Sequence, residues 1–366
     1  MCSWSFRERF LRFLTCLVLH GIASSLYCVG LGVGGIEYVQ IAQVGECREN
    51  DGSLETDFSQ KTIAVSPKNN VVVTASVFSW LASEEVASIW THAVNVGNPV
   101  VLFTPSFDFK WDYGFRIGIG YNLSHDDWDM ICNWSWFDTS ATNAVSPKPL
   151  TWVFPEFDAA FLSGNSCAEM AVRWDLLFNM FDWGIGKGCW VSQDLFLRPF
   201  VGLKGGWIHQ SIQATYDHLI KQLVFVTDQL GKEKLKNNFW GIGPLGGIET
   251  KWRIGMFGSH FLDLCGDLSA ATMWGVWSCS DVYRDTLSQS ISVDTKNDFL
   301  GALMFGGFFG FGWEVDFRNN RSHFAAKLGY EMQLWLNQLR VATFQLQRLH
   351  HDLTLQGITF NVRYDY

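Results

Sequence analysis

The amino-acid sequence predicts an all-β fold, a transmembrane antiparallel β-barrel of about twelve strands, with ten to sixteen allowed, short periplasmic turns and long extracellular loops. Three observations support this prediction. The first 25 residues have the pattern of an export signal. It is rich in aromatic residues, yet beyond that signal it has no apolar stretch long enough for a spanning helix. Its strand patterns alternate over about ten residues or more, the length that a tilted strand needs to cross a bilayer.

The first element is a predicted signal peptide, residues 1–25. Three arginines precede an apolar run from about Phe13 to Ile22, and small residues follow it, which is the pattern of a cleavable export signal. A single anchoring helix is the alternative, but it needs roughly 20 apolar residues. The chain carries a net charge of −9, and removal of the basic leader makes it more acidic, which argues against nucleic acid as a partner.

The exported chain is divided into an N-terminal segment, residues 26–70, and a barrel, residues 71–366. The patterning accounts for about eleven strands, whereas an even number is expected when both ends of a barrel lie in the periplasm. One further strand is therefore predicted upstream, within 57–66 or 31–42.

Five stretches show the strand alternation most clearly. In each, every second residue is apolar or aromatic and is predicted to face lipid, while the residues between face the lumen. The apolar rows are Phe115, Ile117, Ile119 and Tyr121; Trp128, Met130, Cys132, Trp134 and Trp136; Val172, Trp174, Leu176, Phe178 and Met180; Trp313, Val315 and Phe317; and Phe324, Ala326, Leu328, Tyr330, Met332 and Leu334.

Connection lengths give independent support, because short and long predicted connections alternate along the chain, as they do in bacterial barrels. Short turns are predicted at 83–85, 124–127, 186–193, 255–259 and 318–321, and long loops at 96–110, 140–167, 218–237, 282–296 and 337–352.

Two motifs stand in order along the chain. The first comprises Gly114, Gly118, Gly120, Tyr121, Asp127, Trp128 and Asp129, and the second comprises Leu197, Arg198, Pro199, Gly202, Leu203, Ile208 and Gln210. They resemble motifs of the Legionella-type major outer membrane protein family, which includes the MOMP-like porins of Chlamydia-related bacteria. The resemblance runs from about Val72 to Tyr366 and implies a porin-type barrel in the bacterial cell outer membrane. It supplies no list of pore-lining residues.

The last strand carries a candidate insertion signal. Barrels of this kind are similar in ending with an aromatic residue that the barrel-assembly machinery reads, and Gly357, Phe360, Val362 and Tyr366 resemble that signal. An ordinary C-terminal edge strand is the alternative.

Charges of both signs lie on the predicted lumen-facing rows. They can form a water-filled constriction with weak selectivity, or they can pair with each other and fill the lumen. Because about eight strands leave no pore and sixteen to eighteen leave an aqueous channel, a narrow or loop-constricted channel is expected. The candidate pore-lining residues are Arg116, Asp129, Arg173, Asp175, Glu314, Asp316, Lys327, Glu331 and Arg363.

No catalytic, cofactor or metal site is predicted, and the chain is not expected to be an enzyme. The cluster of His350, His351 and Asp352 is poorly placed for metal, because adjacent histidines on a strand point to opposite faces. Cys167 and Cys189 flank one hairpin and are the best candidates for a disulfide, with cross-links to envelope partners as the alternative.

The sequence thus predicts passive, weakly selective diffusion of small hydrophilic solutes through an outer-membrane barrel. A structural or adhesive barrel without a significant open pore, an outer-membrane enzyme and a secreted soluble β-protein are the alternatives. Outer-membrane lipid, the barrel-assembly machinery and small hydrophilic solutes are the expected partners, no cofactor is expected, and homo-oligomerisation is left open.

Overall fold

The computed structural model describes residues 71–84, 91–95, 101–103, 109–123, 128–145, 151–155, 166–221, 224–225, 230–286, 290–317, 322–342 and 348–366. The predicted signal peptide and N-terminal segment lie outside the described residues and stay predictions. Within the described ranges, no helix is long and apolar enough to cross a membrane. The strands are β1 (Val71–Glu84), β2 (Thr91–Asn95), β3 (Val101–Phe103), β4 (Asp112–Asn122), β5 (Trp128–Val145), β6 (Thr151–Pro155), β7 (Ser166–Lys187), β8 (Cys189–Trp190), β9 (Leu195–Lys221), β10 (Val224–Phe225), β11 (Leu230–Phe257), β12 (His260–Asp285), β13 (Ser290–Phe317), β14 (Ser322–Ala342) and β15 (Arg348–Asp365).

Ten of these strands close into an antiparallel barrel. Around the ring they follow the order β1, β4, β5, β7, β9, β11, β12, β13, β14 and β15, and β15 pairs with β1. Closure gives every ring strand two hydrogen-bonded neighbours, so the ring has no free edge. The predicted fold class is confirmed, and the ring has ten strands rather than about twelve, the lower end of the expected range.

Two predicted strands account for the difference in number. The strand expected after the turn at 83–85 is β2, which pairs with β3 and β6 outside the ring. The upstream strand is not needed, because β1 already pairs with β4 on one side and with β15 on the other. The stretches 31–42 and 57–66 themselves lie outside the described residues.

The ring strands are longer than a membrane requires. β9, β11, β12 and β13 have 27, 28, 26 and 28 residues, whereas about ten suffice to cross a bilayer. The long loops predicted at 218–237, 282–296 and 337–352 are therefore mostly strand, and those three predictions were wrong. At the other end, Gly258 in the left-handed region (φ 66°) makes the tight turn predicted at 255–259.

The outer wall changes character along each strand. From the short-turn end up to a row of tryptophans, Trp207, Trp240 and Trp274, the outward side chains are mainly apolar, such as Val201, which is 67% exposed. Beyond that row they are mainly polar, such as Gln213. We call these parts the membrane half and the outer half. Because short turns of bacterial barrels lie in the periplasm, the outer half projects from the cell surface.

The interior changes in the opposite sense. The membrane half has a charged interior, whereas the outer half holds a continuous cluster of buried apolar side chains from β1, β5, β7, β9, β11, β12, β13, β14 and β15. The row from Val172 to Met180 on β7 belongs to this cluster, so its predicted orientation toward lipid was wrong. The physical reason is that β7 has left the bilayer here, so its apolar row turns inward and its polar row meets water.

Candidate functional site: a charged lumen closed by aromatic side chains

The membrane half contains a cavity of about 230 Å³, large enough for several waters. All ten ring strands contribute side chains to its wall, which places it inside the barrel. Five cationic and four anionic side chains line it, so the interior is polar. The charged lining residues are Arg116, Lys204, Lys251, Lys327 and Arg363, with Asp182, Glu249, Asp267 and Glu331.

The structure brings together most of the residues predicted to face the lumen. Arg116, Lys327, Glu331 and Arg363 line the cavity itself. Whether they line a conducting path stays a prediction. Asp129, Glu314 and Asp316 lie on inward rows of β5 and β13 on the periplasmic side of the cavity.

Arg173 and Asp175 lie elsewhere, and their predicted orientation was wrong. They occupy the outer wall of β7 in the outer half, where they pair with each other at 2.8 Å, and the Arg173 side chain is 59% exposed. They lie on the opposite face of β7 from Trp174, in the same segment of the strand whose two faces are inverted, so the error has the same physical cause.

Arg116 and Glu331 form the central ion pair. Arg116 Nη2 lies 2.7 Å from Glu331 Oε1, although β1 and β15 separate their strands in the ring. Thr359 Oγ1 and Gln333 Nε2 donate to the same carboxylate at 2.9 and 3.1 Å. Because Glu331 is satisfied by three partners, these charges stabilise one another across the lumen.

A second network lies toward the periplasmic turns. Arg198 donates to Asp129 and, at 2.7 Å, to Glu249. Lys251 pairs with Glu314 on β13, skipping β12 in the ring. These contacts show that a lumen of ten strands is narrow enough for side chains to span from one strand to the next but one.

His323 extends this network to the last strand. Its imidazole nitrogens lie 3.6 Å from Glu314 Oε2 and 3.3 Å from Asp365 Oδ2, and Arg363 holds Asp365 from the same strand at 2.8 Å. Glu314 and Asp365 at this end of the lumen therefore each have a basic partner.

Arg198, Lys204 and Asp182 are lumen residues that sequence reasoning missed. Lys204 Nζ lies 2.5 Å from Asp182 Oδ1 and 5.9 Å from the ring centre of Trp335. The alternation along β9 does indicate the lumen for two of them, because Arg198 and Lys204 occupy even positions, opposite the lipid-facing Val201 and Leu203. Gly202, which lies between them on the same face, obscures the pattern.

An aromatic layer closes the lumen above the cavity. Phe178 on β7 and Trp335 on β14 meet with ring centres 5.7 Å apart, and four strands separate β7 from β14 in either direction around the ring. The contact therefore crosses the full width of the barrel. The layer, whose members are at most 1% exposed, comprises Phe78, Trp80, Phe137, Phe178, Phe239, Trp277 and Trp335.

Trp80 ties the layer to the polar lumen beneath it. Its ring stacks on Phe78 at 3.7 Å and approaches Phe178 at 6.4 Å, while its Nε1 donates to Thr359 Oγ1 at 3.2 Å. Phe78 fits because Gly114 lies beside it, where a Cβ would come within 2.2 Å of the Phe78 ring. Gly114, the first residue of the first sequence motif, thus makes room for the layer.

The cysteine prediction was wrong. Cys167 and Cys189 form no disulfide with each other, because Cys167 is buried in the outer half whereas Cys189 is exposed beyond the periplasmic end of β7. With most of a 22-residue strand between them, about 70 Å at the usual rise per residue, they cannot pair.

The candidate insertion signal lies on β15. Phe360, Val362 and Tyr366 share the outward row, with Phe360 and Tyr366 well exposed, while Gly357 lies on the inward row. Their role in assembly stays a prediction. In the part of the chain that the structure describes, no three His, Cys, Asp or Glu side chains converge as metal ligands.

Comparisons with known proteins place the chain in one family. Residues 67–366 match the family model described as Legionella pneumophila major outer membrane protein precursor. No curated protein matched. Among solved structures, the chain is similar to the outer membrane protease OmpT from Escherichia coli, with 11% identity over 81% of this chain and 97% of that chain and a TM-score of 0.41.

Two further outer-membrane structures are similar at lower scores. The toluene transporter TodX of P. putida shares 9% identity over 82% of this chain and 91% of its own, with a TM-score of 0.33. A FadL homologue from Pseudomonas aeruginosa shares 8% identity over 81% and 89%, with a TM-score of 0.25. At these scores the likenesses carry no argument about activity.

Proposed function

We propose, from the premise that the chain belongs to the family of the Legionella pneumophila major outer membrane protein precursor, that it is a structural outer-membrane barrel without an open pore. Family membership confirms the resemblance found in the sequence and the location in the bacterial outer membrane. What the barrel does there is the proposal, and the aromatic layer is the observation that carries it.

The aromatic layer supports a closed lumen because apolar side chains fill the cross-section of the barrel at this level and exclude water. Phe178 and Trp335 span the barrel, Trp80 and Phe137 pack on one side of that contact, and Phe239 and Trp277 pack against each other at 4.2 Å. An ion in such a layer would lose its hydration without gaining a partner, which costs at least several kcal/mol. Hydrophobic constrictions of channels stop conduction in this way.

The charges beneath the layer support the same conclusion. Arg116, Arg198 and Lys251 each pair with a carboxylate on a different strand. A charge that is paired inside the wall stabilises the fold and attracts a passing ion less than a free charge does. The lumen of the membrane half is therefore suited to hold the ring together.

Single-channel recording in planar bilayers tests the proposal. The wild-type protein is expected to show no discrete conductance steps. The double variant Phe178→Ala/Trp335→Ala removes the contact across the lumen and is expected to show brief, irregular openings at most, because the apolar cluster of the outer half still fills the interior above the layer. The matched control is Trp134→Ala/Phe181→Ala, which removes a stacked pair of the same residue types from the lipid-facing wall, where the ring centres lie 6.1 Å apart.

Regular steps from the wild-type protein would contradict the proposal. They would favour the second candidate function, passive diffusion of small hydrophilic solutes. The observation in favour of that candidate is the polar cavity of about 230 Å³ with charges of both signs, which would become one chamber of a weakly selective path if the layer opened.

A further inference from the structure

A cluster of basic side chains lies on the outer wall just above the lipid-facing surface. Lys232, Lys234 and Lys236 occupy three successive outward positions of β11, and all three are exposed. Their Cα atoms follow one another at about 7 Å, since same-face residues are two apart on a strand. Arg284 lies directly opposite Lys232 on β12 and is also exposed. We call these four residues the basic patch.

The basic patch has no acidic partner among the described residues. Among the residues that the structure describes, none forms an ion pair with Lys232, Lys234, Lys236 or Arg284. The outward neighbours of the three lysines on β9 are Thr215, Gln213 and Ser211, which are uncharged. In a chain with a net charge of −9, four clustered cations that pair with no described carboxylate point to an anionic ligand from outside.

The position of the basic patch indicates which class of anionic ligand it binds. On the same outward row of β11, Trp240 is exposed at the upper rim of the lipid-facing wall, next to Trp207 on β9. Lys236 lies four residues beyond Trp240 toward the outer half, about 13 Å along the strand, and Lys232 lies eight residues beyond it, about 26 Å. Tryptophan marks the membrane interface in barrels, and cations beyond it meet lipid headgroups.

We propose that the basic patch binds the phosphate groups of a phosphorylated lipid in the outer leaflet. The lipid-facing wall that ends at Trp240 receives the acyl chains, and the four cations above it receive the phosphates through charge-assisted hydrogen bonds. Arg284 offers a forked, bidentate donor, and the lysines act as adjacent point charges. This assignment does not depend on whether the lumen conducts.

The test measures lipid binding by the purified, folded protein in detergent. Native mass spectrometry counts bound lipid during titration with lipid A that carries two phosphates and with the same lipid after enzymatic removal of its phosphates. The wild-type protein is expected to bind the phosphorylated form at least tenfold more tightly, and the difference is expected to shrink as salt is added.

Two variants locate the binding. Lys232→Gln/Lys234→Gln/Lys236→Gln is expected to lose at least nine-tenths of the preference, whereas Lys232→Arg/Lys234→Arg/Lys236→Arg keeps it. Lys187→Gln, at the exposed periplasmic end of β7, is expected to bind like wild type. Heat-modifiable migration in detergent gels verifies that each barrel is folded. Equal binding of the two lipids by wild type, or an undiminished preference in the glutamine variant, would overturn the proposal.

Discussion

The membrane half and the outer half of this barrel are built on the same ten strands with opposite insides and outsides. In the membrane half, apolar side chains such as Leu328 face outward and ion pairs such as Arg116 with Glu331 fill the interior. In the outer half, Trp174 and Phe178 are buried and Arg173 faces water. One strand, β7, carries both arrangements.

The difference teaches that the surrounding solvent, and not the strand pattern, decides which row turns inward. Hydrocarbon outside the membrane half accepts apolar side chains, so the polar rows face the lumen and pair with each other there. Water outside the outer half drives its apolar rows into a packed core, as in a soluble β-protein. The aromatic layer lies where the two interiors meet.

The largest expected effect comes from two phenylalanines three residues apart on β7. Phe178 is fully buried in the aromatic layer, while Phe181 is 43% exposed on the lipid-facing wall. Phe178→Ala leaves a cavity and is expected to lower the free energy of unfolding by about 3–5 kcal/mol. Phe181→Ala loses only ring contacts that lipid chains replace in part, a loss of about 1 kcal/mol. Urea unfolding of protein folded in lipid vesicles measures both, and equal losses would remove the distinction between the two halves.

The next largest effect on stability is expected from placing an arginine on the outward row of β9. Val201 and Gln213 both lie on the outward row of β9, in the membrane half and the outer half respectively. Val201→Arg places a cation in hydrocarbon and is expected to cost about 2–4 kcal/mol. Gln213→Arg places it in water and is expected to change stability by no more than about 0.5 kcal/mol. The same unfolding assay compares them, and a large cost at Gln213 would mean that the bilayer reaches further up β9.

A smaller, pH-dependent effect is expected inside the outer half. Asp281 on β12 is 3% exposed, and burial raises the pKa of its carboxyl to about 7. Since this pKa exceeds the value of about 4 in the unfolded chain, the folded state binds more protons between these values, and stability falls as pH rises through that window.

Asp281→Asn is therefore expected to reduce the loss of stability between pH 4.5 and pH 8. In urea unfolding, the decline in the free energy of unfolding over this range is expected to be smaller in the variant by about 1–3 kcal/mol. The control is Asp294→Asn on the exposed outer face of β13. The explanation fails if the variant and the wild type keep the same slope.

Sequence alone predicted the fold class and the outward rows of β4 and β14, because alternation with glycine and charge on the other face is explicit there. It failed at β7, where the row from Val172 to Met180 alternates just as cleanly. A period of two identifies two faces but does not say which medium each meets. Strand length carried the missing information, since a row of 22 residues extends beyond a bilayer.

The lumen was predictable in part for the same reason. Arg116 and Glu331 were assigned to it from parity alone, and they form its central ion pair. The aromatic layer was not predicted, because Phe178 was assigned to lipid and the meeting of β7 with β14 depends on ring closure at ten strands. Contacts across a ring cannot be read from the local alternation.

Accessibility of spin labels along β9 tests the central claim most directly. Single cysteines at Leu203, Ile212 and Gln213, in a variant with the native cysteines replaced, are labelled and probed by electron paramagnetic resonance with oxygen, which partitions into lipid, and with a water-soluble nickel chelate. The account predicts that oxygen reaches the label at Leu203, that the nickel chelate reaches the label at Gln213, and that neither reaches Ile212. Oxygen access at Gln213 equal to that at Leu203, or access of the nickel chelate to Ile212, would contradict it.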